Sequence, residues 1–263
     1  MEVFLLKIKK GDQVKDVVAV ILAAGESTRM KSELSKLLHP LGDHRLIEFP
    51  VQACVEANIH RIILVIGYQA ERIKAVLGDK YEYVYQEKRL GTGDALRRAT
   101  TLINDFKGEL VVLPGDAPFI SSSIIQELVL YHRKRRSAAT ILTAKLSDPG
   151  HYGRIIRDGY QSIKKIVESR NATEEELKIK EVNSGVYCFN NQKILAVLPL
   201  LQPNKVTGEV YLTDVIEILY SQGEKVEAFL VPDSKVVIGV NTPEDLKKAC
   251  QLLSNKLTLT IRR

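Results

Sequence analysis

The chain has 263 residues, of which 45% are hydrophobic and 27% are charged, and its formal net charge is +6 at pH 7. This composition excludes an intrinsically disordered chain and is sufficient for a large α/β core. The positive charge favours anionic partners. However, the densest basic run, at 132–136, fits the end of a helix, and Trp, an aromatic residue on which bases stack, is absent. We therefore predict no nucleic-acid partner.

The first half of the chain alternates apolar strands with stretches of helical period. Strands are predicted at Val17–Leu22, Arg61–Ile66, Tyr81–Tyr85, Glu109–Leu113 and Ala138–Lys145. Helices are predicted at Leu46–Ala57, Ala70–Leu77, Ala95–Ile103 and Ile124–Arg135. This alternation predicts an α/β fold with a doubly wound, mostly parallel (Rossmann-like) sheet. Ligands of such sheets bind beyond the carboxyl ends of the strands, so we expect the loops after the first, third and fourth strands to open on one side.

The pattern changes in the second half. A β-hairpin is predicted from Tyr152–Ile155 and Ile163–Glu168, which flank an Asp-Gly turn. Further elements are predicted as a loop or short helix at Thr173–Glu176, a strand at Val182–Phe189, and helices at Leu212–Gln222 and Thr242–Leu253, the last beginning with an N-cap Thr and Pro243. Both termini alternate apolar and polar residues and are predicted as edge strands, at Phe4, Leu6 and Ile8 and at Leu257, Leu259 and Ile261.

The three cysteines, Cys54, Cys188 and Cys250, are isolated and lack metal-ligand spacing. This usage is typical of reduced cysteines in a cytoplasmic protein. No stretch has the apolar length of a membrane span or a signal peptide. We therefore expect a cytoplasmic location and no membrane partner.

The first strand runs into small residues and then cations. Leu22, Ala23, Ala24 and Gly25 are followed by Arg29 and Lys36. Small residues allow a phosphorylated ligand to approach the backbone, and N–H groups and cations neutralise its charge. The alternative is that both cations are ordinary solvated side chains. The order of strand, glycine and cations favours a site for a nucleotide or a sugar phosphate.

Further motifs follow in a particular order along the chain. Together with the first loop, they resemble the uridyltransferase domain of the bifunctional N-acetylglucosamine-1-phosphate uridyltransferase family, over roughly residues 17–250. The matching motifs are Leu22–Gly25, Thr28–Met30 and Lys36; Gln86 and Leu90–Gly93; Gly115-Asp116; Tyr152–Ile155; Val167-Glu168; Glu181–Gly185; Gly208-Glu209 and Tyr211–Asp214; and Gly239–Asn241.

The resemblance implies transfer of UMP from UTP to N-acetylglucosamine 1-phosphate, which yields UDP-N-acetylglucosamine for cell-envelope polysaccharides and releases pyrophosphate. The attacking phosphate oxygen is already anionic, so the chemistry needs charge neutralisation and positioning rather than a base. Arg29 would stabilise the departing pyrophosphate, and Lys36 would bridge phosphates. The implied organisation is an N-terminal extension (1–16), one nucleotidyltransferase domain (17–254) with nucleotide-binding (17–120) and sugar-binding (121–254) halves, and a C-terminal tail (255–263).

A Mg²⁺ site is expected at Asp116, because a carboxylate at a strand end suits a hard cation that also binds phosphates and water. The alternative for Asp116 is a turn or capping role. The resemblance adds Asn241 as a second ligand, although this residue also directly precedes a helix N-cap.

Nucleotide binding is implied for Leu22–Gly25 and for Gln86, Gly91 and Thr92. The Gln86 amide offers one kind of donor and one acceptor, the complement of uracil O4 and N3–H. The alternative is a strand-end Gln followed by a simple turn. Sugar binding is implied for Gly115, Asp116, Gly153, Glu168, Asn183, Tyr211, Thr213 and Asn241. The alternatives are that Gly153 is a turn residue, that Glu168 is a solvated strand residue and that Tyr211 is a core aromatic.

Several positions depart from the family pattern. Ser27, Ser35 and Pro114 stand where the family usually has Gly, Pro and an aromatic residue, and Arg170 stands in place of Lys. The sugar and nucleotide preference therefore stays open, and a related sugar-1-phosphate nucleotidyltransferase or a non-catalytic nucleotide-sugar sensor are the competing hypotheses. The residues after Asn241 contain no hexapeptide repeat. We accordingly expect no acetyltransferase activity and leave the oligomeric state open.

Overall fold

The computed structural model describes residues 16–26 and 28–261, with side chains up to residue 254. The predicted N-terminal edge strand and Ser27 lie outside these residues. The chain forms one large mixed sheet with helices on both faces. With strands numbered along the chain and their bounds given below, the order in the sheet is β11-β7-β10-β6-β1-β4-β5. Strand β8 joins the sheet through β10 and also pairs with β9.

The centre of the sheet is β1 (Val17–Ala23), which pairs in parallel with β4 (Arg61–Ile66) and β6 (Glu109–Pro114). A third parallel pairing joins β4 to β5 (Glu82–Tyr85). Every residue of β1 except Leu22 is buried, because helices cover both faces as they do in parallel sheets. A small separate hairpin, β2 (Pro40–Leu41) and β3 (His44–Arg45), follows the first loop.

The helices divide between two hydrophobic layers. Alternate β1 residues point into opposite layers, Ala19 and Ile21 into one and Val18 and Val20 into the other. The first layer includes side chains of α1 (Glu48–Glu56), α2 (Ala70–Leu77) and α4 (Ser122–Arg135). The second includes side chains of α3 (Thr92–Ile103), α6 (Asn191–Val197) and α7 (Asp214–Ser221).

The second half adds an antiparallel element to the parallel core. Strand β10 (Glu181–Asn190) runs antiparallel between β6 and β7 (Ala139–Lys145), and β11 (Val226–Leu230) extends β7 in parallel. Strands β8 (Arg154–Arg157) and β9 (Ile163–Val167) pair antiparallel. A sugar-binding role for this pair stays a prediction.

The mostly parallel α/β fold predicted from the sequence is confirmed. The segment at 173–176 is a short helix, α5 (Glu174–Leu177), begun by a Thr173 capping box. The C-terminal prediction was wrong: the segment with Leu257, Leu259 and Ile261 belongs to α8 (Pro243–Ile261) and is not an edge strand. Residues 244–261 contain neither Gly nor Pro, so nothing in the sequence stops the helix.

Within the described part of the chain, no helix has the length and apolar character needed to cross a bilayer. Strand β11 and helix α6 were not predicted. The stretch Val226–Leu230 contains a glutamate and only five residues, which makes a weak strand signal.

Candidate active site

The candidate site lies where the parallel strands end. The registers place the carboxyl ends of β1, β4, β5 and β6 at the same edge of the sheet, as the sequence predicted. Because β10 runs in the opposite direction, its beginning lies at that edge, with Asn183 opposite Thr143 of β7. Gly185 approaches Pro114, and a Cβ atom at Gly185 would lie 3.5 Å from the proline ring. Residues from both halves of the chain therefore meet here.

Four predicted residues form one polar cluster. The Lys36 ammonium forms an ion pair with Asp116 and donates to Asn241 Oδ1 at 2.9 Å. Arg29 Nη2 donates to the same Asn241 oxygen at 3.0 Å. The Lys36 and Asp116 side chains are only 15% and 14% exposed, so their attraction is less screened by water than that of a surface pair. The two predicted cations and the two predicted metal ligands thus lie together.

Backbone contacts bring the cluster together over more than two hundred residues. Gly115 N–H donates to Leu22 O at 2.9 Å, which fixes the turn before Asp116. Val240 N–H donates to Asp116 O at 3.1 Å and so places Asn241 beside the carboxylate.

Helix α8 begins two residues after Asn241, and its N-terminal cap holds Asn241 in place. Asp245 Oδ2 accepts from the backbone N–H groups of Asn241 and Thr242 at 3.0 and 2.9 Å, and Thr242 Oγ1 accepts from Asp245 N–H at 3.1 Å. This arrangement is a capping box with Asp in place of Glu, and it confirms Thr242 as the predicted N-cap. The helix cap therefore fixes the backbone of a predicted metal ligand.

Lys36 opens a short 3₁₀ helix, Lys36–Leu38, whose two leucines are buried. The preceding residue, Ser35, is also buried, and its N–H donates to Gln69 Oε1 at 3.2 Å. A hydrogen bond thus restrains the backbone before Lys36 at the position where the family usually has Pro.

The oxygens of Asp116 and Asn241 fit a Mg²⁺ ion. Both accept from the same ammonium nitrogen, so they converge on one cation. Beside them Gly239 leaves room: a Cβ atom there would lie 3.5 Å from Asn241 Nδ2 and 3.8 Å from Asp116 Oδ1. Among the described residues no group of three or more His, Cys, Asp or Glu forms a metal site. This donor set suits a hard ion that completes its shell with phosphate and water oxygens.

The loop after β1 has the open space that the sequence predicted. Ala23 and Ala24 are buried, whereas Gly25 is exposed and a Cβ atom there would meet nothing within 4 Å. The next residue, Glu26, forms an ion pair with Arg89, which connects this loop to the loop that follows β5.

The predicted base-binding residues lie in that second loop. Gln86 is 4% exposed, and its backbone N–H donates to Ile66 O at 2.8 Å. Gly91 has φ +101°, and a Cβ atom there would lie 2.5 Å from Val210 O, so only glycine fits this close backbone approach. Thr92 Oγ1 accepts from Leu212 N–H at 3.0 Å. Gly91 and Thr92 thus hold the 210–212 segment against the first turn of α3.

One expectation about Gln86 needs correction. Its Nε2 group donates to Gly91 O at 3.0 Å and to Asp94 Oδ2 at 2.8 Å. An amide nitrogen carries only two hydrogens, so the side chain offers a ligand an acceptor but not the donor that the sequence suggested.

The predicted sugar-binding residues form a second group. Asn183 N–H donates to Gly153 O at 2.9 Å, and the Asn183 amide contacts Tyr187 Oη and Gly185 N–H at 2.8 and 3.0 Å. Gly153 is buried in this packing. Its neighbour Tyr152 accepts from Gly239 N–H at 3.3 Å, so this group adjoins the lysine–aspartate cluster.

Glu168 and Thr213, two further predicted sugar-binding residues, contact each other. Thr213 Oγ1 donates to Glu168 Oε1 at 3.2 Å, and burial raises the pKa of the Glu168 carboxyl above its ordinary value. Tyr211 is buried, and its hydroxyl shares a hydrogen bond with Thr207 at 2.8 Å. Glu168 is half-buried and Tyr211 is buried with its hydroxyl hydrogen-bonded, and sugar binding by both residues stays a prediction.

Sequence reasoning missed two residues that organise the site. Asp94 contacts Gln86, and an acid in the first turn of a helix usually signals no more than a favourable dipole interaction. The Arg154 guanidinium is buried and donates to the carbonyls of Tyr152 and Gly150, the latter at 3.0 Å. It thereby holds the loop that precedes Gly153.

A cavity of about 490 Å³ lies elsewhere, between the end of α7, the start of β11 and the β8–β9 turn. Two of its lining cations are neutralised: Arg135 pairs with Glu227 and Arg157 with Glu181. We assign it no function.

Comparison with known proteins agrees with this geometry. The sequence model of a family described as nucleotidyl transferase matches residues 18–239, a range that holds Arg29, Lys36 and Asp116. The chain belongs to the nucleotidyl transferase family. The family resemblance inferred from the sequence motifs is confirmed.

The relatives of this nucleotidyl transferase include several bifunctional GlmU proteins. It is 44% identical over 241 residues to bifunctional protein GlmU of Acetivibrio thermocellus, covering 92% of this chain and 52% of that protein. It is 41% identical over 239 residues to GlmU of Oceanobacillus iheyensis, covering 91% of this chain and 52% of that protein. It is 40% identical over 245 residues to GlmU of Limosilactobacillus fermentum, covering 93% of this chain and 54% of that protein. The chain spans about half the length of the curated relatives it matches.

Proposed function

We propose that the chain catalyses Mg²⁺-dependent transfer of UMP from UTP to N-acetylglucosamine 1-phosphate, forming UDP-N-acetylglucosamine and pyrophosphate. The observation that carries this proposal is the cluster of Arg29, Lys36, Asp116 and Asn241 beside the open Gly25 loop. Family membership supports the reaction class, and the motif resemblance supports the two substrates.

The reaction exchanges one phosphoanhydride bond for another. A phosphate oxygen of the sugar phosphate attacks the α-phosphorus of UTP, and the bond from that phosphorus to the oxygen bridging the α- and β-phosphates breaks, so that this oxygen leaves as a terminal oxygen of pyrophosphate. No proton has to be removed from the nucleophile, so the barrier comes from repulsion between two polyanions and from their alignment. A cluster of cations where the two substrates are bound side by side reduces their repulsion and fixes their alignment.

Arg29 and Lys36 have separate parts in this scheme. Arg29 is exposed next to the open loop, and its planar guanidinium suits the pyrophosphate that carries the developing charge. Lys36 is largely buried and reaches both Asp116 and Asn241, so its ammonium can neutralise phosphates close to the reacting phosphorus. Those phosphates would approach the backbone closely at the small-residue segment Leu22, Ala23, Ala24 and Gly25.

Asp116 and Asn241 would hold the Mg²⁺ ion. When bound, the ion supplies positive charge next to the phosphate oxygens. Gly115 positions Asp116 through its contact with Leu22, and Asp245 positions Asn241.

Gln86, Gly91 and Thr92 would bind the uridine. Among the described residues, none accepts from the backbone N–H groups of Gly91 and Thr92, so these donors can serve the base or the ribose. Gln86 Oε1 supplies the acceptor for uracil N3–H.

The second half of the chain would bind the acceptor sugar. We assign the N-acetylhexosamine to Gly115, Asp116, Gly153, Glu168, Asn183, Tyr211, Thr213 and Asn241. We also propose that the chain comprises an N-terminal extension, one nucleotidyltransferase domain over residues 17–254 and a C-terminal tail. The proposed location is the cytoplasm.

The deciding experiment measures pyrophosphate release from UTP and N-acetylglucosamine 1-phosphate in the presence of Mg²⁺. Asp116→Ala should lower kcat by at least about 100-fold, because loss of charge stabilisation at a phosphoryl-transfer site costs several kcal/mol. The matched control is Asp105→Ala, which removes an exposed carboxylate beyond α3 and should leave kcat unchanged. Unchanged activity of Asp116→Ala would remove this residue from the site.

A panel of four nucleoside triphosphates against several sugar 1-phosphates tests the substrate assignment. Preference for another pair would keep the reaction class and replace the substrates. Binding of nucleotide sugars without turnover of any pair would contradict the proposed enzyme and favour a sensor.

A further inference from the structure

The Gln86 side chain is held in one orientation by two acceptors. One amide hydrogen points to Gly91 O at 3.0 Å and the other to Asp94 Oδ2 at 2.8 Å. Among the described residues, none donates to Gln86 Oε1. Rotating the amide by half a turn would place Oε1 against both acceptors and leave them without a donor, which is costly for buried groups.

Asp94 enforces this orientation more strictly than a neutral residue would. It is 7% exposed in the first turn of α3, where the helix dipole favours a negative charge. Its other oxygen, Oδ1, lies 3.5 Å from Arg98 Nη2 one turn further along the helix. An ionised carboxylate accepts hydrogen bonds and cannot donate them, so Asp94 is compatible with only one end of the Gln86 amide.

We propose that Asp94 is a specificity-determining positioning residue that makes Gln86 present only its carbonyl oxygen to the base. The inference rests on the proposed nucleotide site and deepens it. An acceptor at this point pairs with uracil, whose N3 carries a hydrogen, and repels cytosine, whose N3 is an acceptor. A site whose buried group is left unpaired by the wrong ligand discriminates strongly against that ligand.

The test compares kcat/KM for UTP and CTP in variants that release the amide. Asp94→Asn keeps the shape but adds a donor, so the residue at 94 can pair with either end of the Gln86 amide, and the flipped orientation loses only the contact with Gly91 O. Asp94→Ala removes the second acceptor altogether. In both variants the UTP-to-CTP ratio should fall by about tenfold, the worth of one hydrogen bond to a charged group, and the use of CTP should rise.

Arg98→Gln is the matched control. It removes the ion partner of Asp94 Oδ1 and leaves the contact from Oδ2 to Gln86 in place. Its UTP-to-CTP ratio should stay within about twofold of the wild type, since substitutions away from such contacts have small effects. A general weakening of α3 would instead lower both kcat/KM values in parallel and leave the ratio unchanged.

The outcomes separate this inference from the proposed function. A wild type that prefers UTP, with Asp94 variants that keep the same ratio, would overturn the role of Asp94 alone. A wild type that does not turn over UTP would overturn the proposed function. Calorimetric titration of each variant with UTP and with CTP tests the inference without turnover, and equal affinity ratios in wild type and Asp94→Asn would reject it. Thermal unfolding checks that each variant is folded.

Discussion

Replacing Gly91 by alanine tests how the loop proposed to bind the base is built. A Cβ atom at this position would lie 2.5 Å from Val210 O and 2.9 Å from Val210 N. These are backbone atoms and cannot swing away as the end of a side chain would. Two hydrogen bonds hold the two segments of this contact together, from Val210 N–H to Leu90 O at 2.7 Å and from Gly93 N–H to Val210 O at 2.8 Å.

The expected loss of stability has two parts. An alanine forced to φ +101° at position 91 is strained by roughly 1–2 kcal/mol. Moving Val210 far enough to admit the methyl group breaks the two hydrogen bonds, at about 1 kcal/mol each. The free energy of unfolding should therefore fall by roughly 3–4 kcal/mol, a substantial part of the 5–15 kcal/mol typical of native proteins.

Urea denaturation of wild type and Gly91→Ala measures this change. Gly25→Ala is the matched control, because a Cβ atom there would meet nothing within 4 Å. Its free energy of unfolding should stay within about 0.5 kcal/mol of the wild type, whereas its affinity for UTP should weaken because the methyl group occupies space proposed for phosphate. Equal stability of Gly91→Ala and wild type, or equal losses in the two variants, would refute the reasoning.

Three further outcomes are expected. Glu168→Gln should raise Tm at pH 7, because burial raises the pKa of this carboxyl and its ionisation therefore opposes folding. The gain should shrink as the pH falls and vanish near about pH 3, well below the ordinary glutamate pKa, where the carboxyl is protonated in both states; a pH-independent difference in melting scans would contradict this account. Asp245→Ala should lower the free energy of unfolding by about 1 kcal/mol. It should also lower kcat, because the backbone N–H of Asn241 loses its acceptor. Glu244→Ala, in the same turn, is the control, and equal kcat in both variants would contradict the positioning role of Asp245. Removing divalent ions with EDTA should abolish pyrophosphate release and Mg²⁺ should restore it, whereas turnover that persists in EDTA would exclude the proposed ion.

The core of the fold was predictable because its signals are local. The run Val17–Ala23 is apolar throughout, and small residues with a glycine follow it. Parallel strands end at one edge of a sheet, so Asp116 could be expected on the same side of the sheet as the β1 loop; that β1 and β6 are neighbours is known only from the structure.

Other features depend on contacts that local sequence does not report. Asn241 reaches Asp116 through a backbone hydrogen bond from Val240, and only the family resemblance pointed to it. The alternation of Leu257, Leu259 and Ile261 indicated a strand, but a helix capped at Thr242 continues through them.

Gln86 shows a third kind of limit. Its residue type was informative, but its chemistry depends on which of its atoms the protein already uses. The contacts from Nε2 to Gly91 and Asp94 exist only after α3 has folded against the end of β5.

The antiparallel placement of β10 has a consequence for how such enzymes diversify. Within the described residues, β9 pairs with β8 alone, and β8 joins β10 through the register position Val182–Arg154. Redesign of β9 therefore leaves the β1, β4 and β6 pairings untouched. On the proposed assignment of the acceptor sugar to the second half of the chain, new acceptor preferences can evolve at this outer hairpin without a change in the parallel strands that lead to the Gly25 and Asp116 loops.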